Sequence, residues 1–420
     1  MPRSSRRAPV CPFSCSGVRI AYVSHYFVPE PAAPAARVHE LARAWVRGGH
    51  SVDVLTAFPN HPVGRIPAAY RGKLWATECL DGIRVLRCWL LAVPNRGVAR
   101  RGVDHLSFML SAVLFGLPRL GRVDVVIASS PTLFSALAAW LMARVRRVPF
   151  VLEVRDLWPE AIVSLGLMRP GLGVWILHAL ADFLYRQATL IVVVTEAFAD
   201  YLAARGVPRA KLSVIPNGAD TAAYDGPADR AALGLAADHF VAAYIGTHGL
   251  SHGLGAVLDA AALAPDATFL MVGDGADRER LMAERDRRGL PNVVMRPSVP
   301  KADVPALYAA ADVCLVPLRD VPLFETFVPS KVFEALAAGR PIVGAVRGEA
   351  RSILERSGGA LLVDPEDGAG IASAVATLRA DPELRERMAR AGQAFAHAHY
   401  DRNALAVRYL ELLNAVVARS

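Results

Sequence analysis

The chain has 420 residues, 53% hydrophobic and 20% charged, with 47 Lys+Arg against 39 Asp+Glu and a formal net charge of +8. That length suits two or three domains with full hydrophobic cores, and the composition excludes disordered and fibrous classes. The basic excess is confined to the first half: residues 1–212 hold 26 basic against 13 acidic side chains, residues 213–420 hold 21 against 26. This asymmetry suits two domains with different partners, the first facing something anionic such as lipid headgroups or phosphates. An arginine-rich codon habit is the plain alternative, since only four of the 47 are Lys.

The opening MPRSSRRAPVCPFSCSG has a basic head with no apolar run behind it, so residues 1–16 read as a disordered lead-in or an over-extended start, not a signal peptide. From Val18 onward short apolar strands alternate with helix-length amphipathic segments. RIAYVS is a strand, Val38, Leu41, Ala42, Trp45 and Val46 share one helical face, Gly48-Gly49 ends that helix, and Ser51–Thr56 is the next strand. Strands follow at Ile83–Arg87, Val123–Ala128, Phe150–Val154 and Leu190–Val194. The apolar run Leu106–Pro118 is too short to span a bilayer. Around Lys211–Ile215 the series pauses at PNGAD and the Ala/Asp/Gly-rich stretch 221–238. A second series then runs through Phe240–Ile245, Thr268–Val272, Val293–Met295, Val313–Val316, Pro341–Ala345 and Ala360–Val363. The alternation predicts an α/β fold of two doubly wound units with parallel sheets, hinged near 200–216 and with ligands in the cleft at the strands' carboxyl ends. The last helix, within Arg402–Val417, is apolar on most faces and is expected to pack back across a domain interface. Cys11, Cys15, Cys79, Cys88 and Cys314 fit neither a disulfide framework nor zinc spacing and suggest a reduced, cytoplasmic chain.

Five segments carry candidate chemistry. After the first strand, at His25, a Pro/Ala loop (Pro31-Ala32-Ala33-Pro34) leads into a helix N-terminus, a natural anion site. FVLEVRDLWPEA delivers Arg155, Asp156, Trp158 and Glu160 beyond a buried strand, suited to sugar contact or, in the plainer reading, to a salt bridge that steadies a loop. AYIGTHGLSHGL places Gly246, Gly249 and Gly253, with Thr247, His248 and His252, between a strand and a helix whose dipole favours phosphate. Gly273-Asp274-Gly275 follows the next strand and is half of a dinucleotide fingerprint, unspecific alone. FETFVPSKVFEALAAGRPIVGA is the most informative. Pro329 and Ser330 start a helix with Lys331 in its first turn and Glu334 one turn on. Free amides there suit a pyrophosphate, Lys331 could neutralise it, and Glu334 could accept both hydroxyls of a ribose. A capped surface helix is the alternative, but Lys in a first turn opposes the dipole and so points to an anionic ligand.

Together, EVRDLWPEA, VVTEAFADYLAARGVPRAKLSVIPNGAD, FLMVGDGADRERL, NVVMRPSVPKADVPALYAAADVCLVPL and VPSKVFEALAAGRPIV resemble the family 4 retaining glycosyltransferases from about residue 17 onward, nearest the bacterial L-fucosamine transferase-like branch of surface-polysaccharide assembly. The resemblance implies a GT-B fold. It gives residues 17–205 as an acceptor-binding domain, 206–398 as a donor-binding domain, and 399–420 as a helix returning to the first. It implies a nucleotide-diphosphate-sugar donor, UDP-linked by preference, a glycan or lipid-diphosphate-saccharide acceptor, and no metal or other cofactor. Donor contacts are expected from Gly246, Thr247, His248, His252, Gly273, Gly275, Pro297, Val328, Pro329, Ser330, Lys331 and Glu334. Acceptor contacts are expected from His25, Arg155, Asp156, Trp158 and Glu160, with Lys331, Glu325, Arg155 and Asp156 nearest the chemistry. Three departures stand out. Thr326 occupies the place of the family's first glutamate, with Glu325 one position off; the glycine loop lacks the usual Arg and Lys; and Arg155 replaces a His, where its high pKa bars it from base catalysis. Arg84, Arg87, Trp89, Arg96, Arg100 and Arg101, leading into Leu106–Leu117, suit an anionic membrane face. A nucleotide-sugar epimerase and a catalytically weak sugar-nucleotide-binding protein share the architecture. Nucleic acid is excluded for want of a compact reading motif.

Overall fold

The computed structural model describes residues 17–30, 33–61, 64–93, 98–166, 168–224, 226, 230, 235 and 239–420. The expectations for residues 1–16, Cys11, Cys15, Pro31, Ala32, Arg96 and most of 225–238 lie outside them. The chain divides into two compact units. One comprises residues up to Val194, Phe198–Ile215 and Asn403–Ser420; the other comprises Thr195–Ala197 and Pro216–Arg402.

The first unit is built on eight strands: β1 Arg19–Ser24, β2 Ser51–Ala57, β3 Trp75–Leu80, β4 Ile83–Cys88, β5 Val125–Ser129, β6 Phe150–Val154, β7 Leu190–Val193 and β8 Leu212–Val214. Their order is β3-β4-β2-β1-β5-β6-β7-β8. Seven pair in parallel, and their interior strands are buried on nearly every residue, as a sheet covered on both faces requires. The expectation of a purely parallel sheet fails at the edge. There β3 runs antiparallel to β4 through a two-residue turn in which Asp81 and Gly82 both have positive φ. The C-terminal helix Arg402–Ala418 lays Leu405, Ala406, Tyr409 and Leu413 into this unit's core, where Trp45 Nε1 donates to the Ala406 carbonyl at 2.9 Å.

The second unit has six parallel strands: β9 Phe240–Ile245, β10 Ala267–Val272, β11 Val293–Arg296, β12 Val313–Pro317, β13 Ile342–Ala345 and β14 Ala360–Val363, in the order β11-β10-β9-β12-β13-β14. Order reverses beside β9, so the loops after β9 and β12 flank a topological switch point, where open α/β sheets bind ligands. Helices Gly255–Leu263 and Gly368–Ala380 cover the same core, and Asp381 caps Pro382–Tyr400 by accepting from Leu384 N at 2.8 Å.

Two expectations about the first unit change. Arg87 is buried and Arg84 half-buried, both engaged by the sheet: Arg84 Nε donates to Asp53 Oδ1 at 2.7 Å, and Arg87 donates to Glu78 (2.8 Å) and to the Val28 carbonyl (2.7 Å). Cys88 and Cys314 are free and buried, whereas Cys79 is disulfide-bonded, so the all-thiol expectation fails there. Among the described residues no helix is long and apolar enough to cross a membrane.

Candidate active site

In the second unit three loops are laced together by their backbones. Gly246 N donates to the Val272 carbonyl, His248 N to the Asp274 carbonyl and Asp277 N to the His248 carbonyl, each at 2.9 Å; Gly273 N reaches the Arg296 carbonyl at 3.0 Å. This lacing is why glycine is needed. A Cβ on Gly273 would stand 1.8 Å from the Gly246 carbonyl oxygen, and one on Gly275 2.4 Å from that of His248. The Gly-x-Gly turn is thus a packing requirement between loops. Pro297, just beyond β11, is held in the same set, because Ser298 N and Oγ donate to Asp274 Oδ2 at 2.9 and 2.6 Å.

Under the loop after β9 lies Lys331. Its helix, Lys331–Ala337, opens at Val328-Pro329-Ser330, of which Val328 is buried and Pro329 and Ser330 are half-buried. The Val332, Phe333 and Glu334 amides are taken up by the Pro329 and Ser330 carbonyls (3.0–3.3 Å), which leaves Ser330 and Lys331 N–H at the opening of the turn. Lys331 Nζ sits 3.6 Å from the Tyr244 ring centroid with no hydrogen-bond partner, and burial pushes its pKa well below the ordinary lysine value. A Cβ on Gly246 would lie 3.1 Å from that nitrogen, so the missing side chain makes room for the ammonium. His248 is fully buried with both ring nitrogens unpartnered, and burial lowers its pKa to about 4. Burial also lowers His252 well below the ordinary histidine value, and its Nδ1 is unpartnered.

Glu334 is held by two residues that sequence reasoning missed. Lys301 Nζ donates to Oε1, and Tyr308 Oη donates to Oε2 at 3.2 Å. They lie 33 and 26 positions away, beyond any local pattern. The structure does not bring Glu325 to Lys331: Glu325 is exposed in the 3₁₀ turn Pro322–Thr326, and its backbone packs against Gly348. Thr326, beside it, donates to the Leu323 carbonyl at 2.7 Å.

In the first unit His25 lies just beyond β1, fully buried, with its ring 4.4 Å from His105 and 5.2 Å from Phe108. Its Nε2 stands 3.6 Å from Asp104 Oδ1, too far for a hydrogen bond. Burial lowers the His25 pKa to about 3 and raises that of Asp104 to about 6. Asp104 and His105 escaped the sequence reading, although a polar pair on an otherwise apolar helix face was a signal. Arg155, beyond β6, has Nε and Nη1 buried and unpartnered, and its N–H donates to Ser130 Oγ at 3.2 Å. Burial raises the Asp156 carboxyl to about 6 against the pull of Arg155. Glu160 is committed elsewhere: it accepts from Tyr201 Oη at 2.5 Å and pairs with Arg205, which removes it from the free polar groups near Trp158.

Two successive Rossmann-like units, the second with glycine loops at its switch point and the first completed by the C-terminal helix, define the GT-B class. The solved sucrose-phosphate synthase of Thermosynechococcus elongatus matches with a TM-score of 0.76 at 20% identity, over 96% of this chain and 100% of that one. Anabaena HepE in complex with UDP-glucose matches at 0.71 and 20%, over 94% and 99%. Residues 33–218 match the glycosyl transferase 4-like domain and residues 239–381 the glycosyl transferases group 1. WcaI of Escherichia coli (strain K12), a glycosyl transferase named for colanic acid biosynthesis, is 26% identical over 304 residues, 69% of this chain and 74% of that protein. The chain belongs to the group 1, family 4 glycosyltransferases, a class of retaining, hexosyltransferase-like enzymes.

Proposed function

We propose that the protein transfers a hexose or amino sugar, with retention, from a UDP-linked donor to a hydroxyl of a glycan or lipid-linked saccharide in surface-polysaccharide assembly, as in the fucosamine transferase-like branch. The observation that carries this is the buried, unpartnered Lys331 ammonium beneath interlaced glycine loops at the switch point. The UDP-glucose complex of HepE and the naming of WcaI agree with it. In this reading the bond from the anomeric carbon to the diphosphate breaks while the acceptor oxygen bonds the same face, and the acceptor's proton passes to the departing phosphate oxygen. Ser330 and Lys331 amides, the loop amides and the Lys331 charge stabilise that phosphate. Glu334 accepts from the ribose, and Arg155, Asp156 and His25 orient the acceptor. A panel of UDP, GDP, ADP and TDP by thermal shift tests the donor class. At a hundredfold excess over Kd, UDP is expected to add about 2.7 kcal/mol, a rise of roughly 2–4 °C. A panel in which none shifts the transition sinks the reading.

We also propose that this first unit rests on the cytoplasmic face of an anionic membrane. On the segment 98–116 the buried residues Asp104, Phe108, Ser111, Ala112 and Gly116 form one face. The other exposes Val103 (49%), Leu106 (40%), Leu110 (52%) and Leu114 (64%), an apolar stripe beside exposed Arg100 and Arg101. Flotation with phosphatidylglycerol-containing vesicles is expected to carry the protein up, less so in high salt and much less for Leu110→Asp. Equal absence from anionic and neutral vesicle fractions would count against it.

A further inference from the structure

Three basic side chains share one compartment under the β9 loop: Lys331 and His248 with every side-chain nitrogen unpartnered, and His252 with Nδ1 unpartnered. The Tyr244 ring lies between them, with centroids 5.7 Å from His248 and 5.9 Å from His252, and its hydroxyl is committed to the Thr247 carbonyl at 2.6 Å. The carboxylates that face the compartment are engaged elsewhere. Glu334 holds Lys301 and Tyr308, Asp274 holds Ser298, and Asp277 takes a two-point grip from Arg280 at 2.6 and 2.7 Å. Arg278, from the helix Arg278–Arg288, adds a further positive charge against His248. Histidines kept only for packing would have their nitrogens satisfied, because a buried unmet donor or acceptor is costly. Here several such atoms lie behind the outer face of a glycine loop.

We propose that Lys331, His248 and His252 form a proton-accepting layer beneath the glycine loop, which binds protons as a nucleoside diphosphate seats above it. This rests on the donor reading and adds to it how a loop without the family's Arg and Lys supplies its positive charge. The histidines act as positioning residues, through their field. Burial disfavours the charged form of all three, and their mutual repulsion adds to that for the histidines. A diphosphate brought within a few ångströms reverses the balance, so each group holds its proton to higher pH in the complex than in the free protein. Binding therefore takes up protons, and affinity falls as pH rises, by up to about tenfold per pH unit for each proton.

UDP is the probe. Titration calorimetry in two buffers of different protonation enthalpy, repeated between about pH 6 and pH 8, is expected to show proton uptake in excess of that in His248→Gln and His252→Asn, in which UDP's own ionisation is unchanged. Ring ¹⁵N shifts of labelled histidine in the wild-type protein are expected to move from neutral to protonated values at these two residues when UDP is added, a readout independent of how the variants fold. UDP that binds with unmoved ring shifts and no excess uptake overturns this proposal and leaves the donor reading standing. Failure of UDP, GDP, ADP and TDP alike to bind overturns the donor reading and this proposal with it.

Discussion

Lys331→Ala is expected to lower turnover at least tenfold while leaving the folded protein as stable as before, or more so. The two halves of that expectation have one origin. Among the described residues the Lys331 nitrogen has no hydrogen-bond acceptor and sits over an aromatic face, so in the free protein its charged form has little to offset its burial. Its value arises only when negative charge develops on a departing diphosphate. Removing one such donor from a water-poor site typically costs about 10²–10³ in rate, or about 3–4 kcal/mol. Glu334→Ala is expected to act differently. Its carboxylate is tied to Lys301 and Tyr308, so its loss weakens the donor's ribose contact and should appear in kcat/KM for the donor, by about tenfold, more than in the melting temperature. Steady-state kinetics with the donor identified by the nucleotide panel, beside thermal melts, separates the two. Near-normal turnover in Lys331→Ala removes the residue from the chemistry.

Much of this was legible beforehand because parallel strands buried on both faces read as short apolar runs. Arg19–Ser24, Phe150–Val154, Phe240–Ile245 and Ala360–Val363 have the boundaries read from sequence, and the other strands read there shift by one or two residues at one or both ends. What escaped was the polar edge. WATECL (β3) is largely exposed, so no core pattern marks it, and its pairing with β4 is specified by the turn at Asp81-Gly82. Arg84 and Arg87 looked like surface charge because their partners, Asp53 and Glu78, are identifiable only once the strands are adjacent. At the candidate site the glycines and Lys331 announced themselves by type and position. Tyr244, Lys301, Tyr308 and the neutralising context of each charge did not, since these depend on contacts made across the sheet. Glu325, one position out of register, lies exposed in the 3₁₀ turn, a setting that its residue type alone did not reveal.

Glu153→Ala is expected to cost the first unit about 3–5 kcal/mol, the largest stability effect of any single substitution proposed here. Glu153 lies in the middle of the sheet on β6, fully buried. Burial alone would push its carboxyl up, but Arg37, Arg155 and the Tyr22 hydroxyl overcome that and hold it below the ordinary glutamate value. Arg37 Nε donates to it at 2.7 Å while Nη2 reaches the Ile215 carbonyl at 3.2 Å, so one guanidinium ties β6 to the segment after β8. Deleting the carboxylate strands two buried guanidinium groups, which is costlier than losing one ion pair. Replacing the pair together, as Arg37→Met with Glu153→Leu, should recover most of the loss, because well-packed apolar groups often match a buried ion pair. The sign with pH follows from the lowered carboxyl: its contribution is present above the unfolded glutamate value and disappears as pH falls through the folded one. Urea denaturation of the two single variants and the double one tests this. A Glu153→Ala loss below about 1 kcal/mol would show that water or a moved side chain neutralises the arginines, and that the cluster is not what holds β1, β6 and the segment after β8 together.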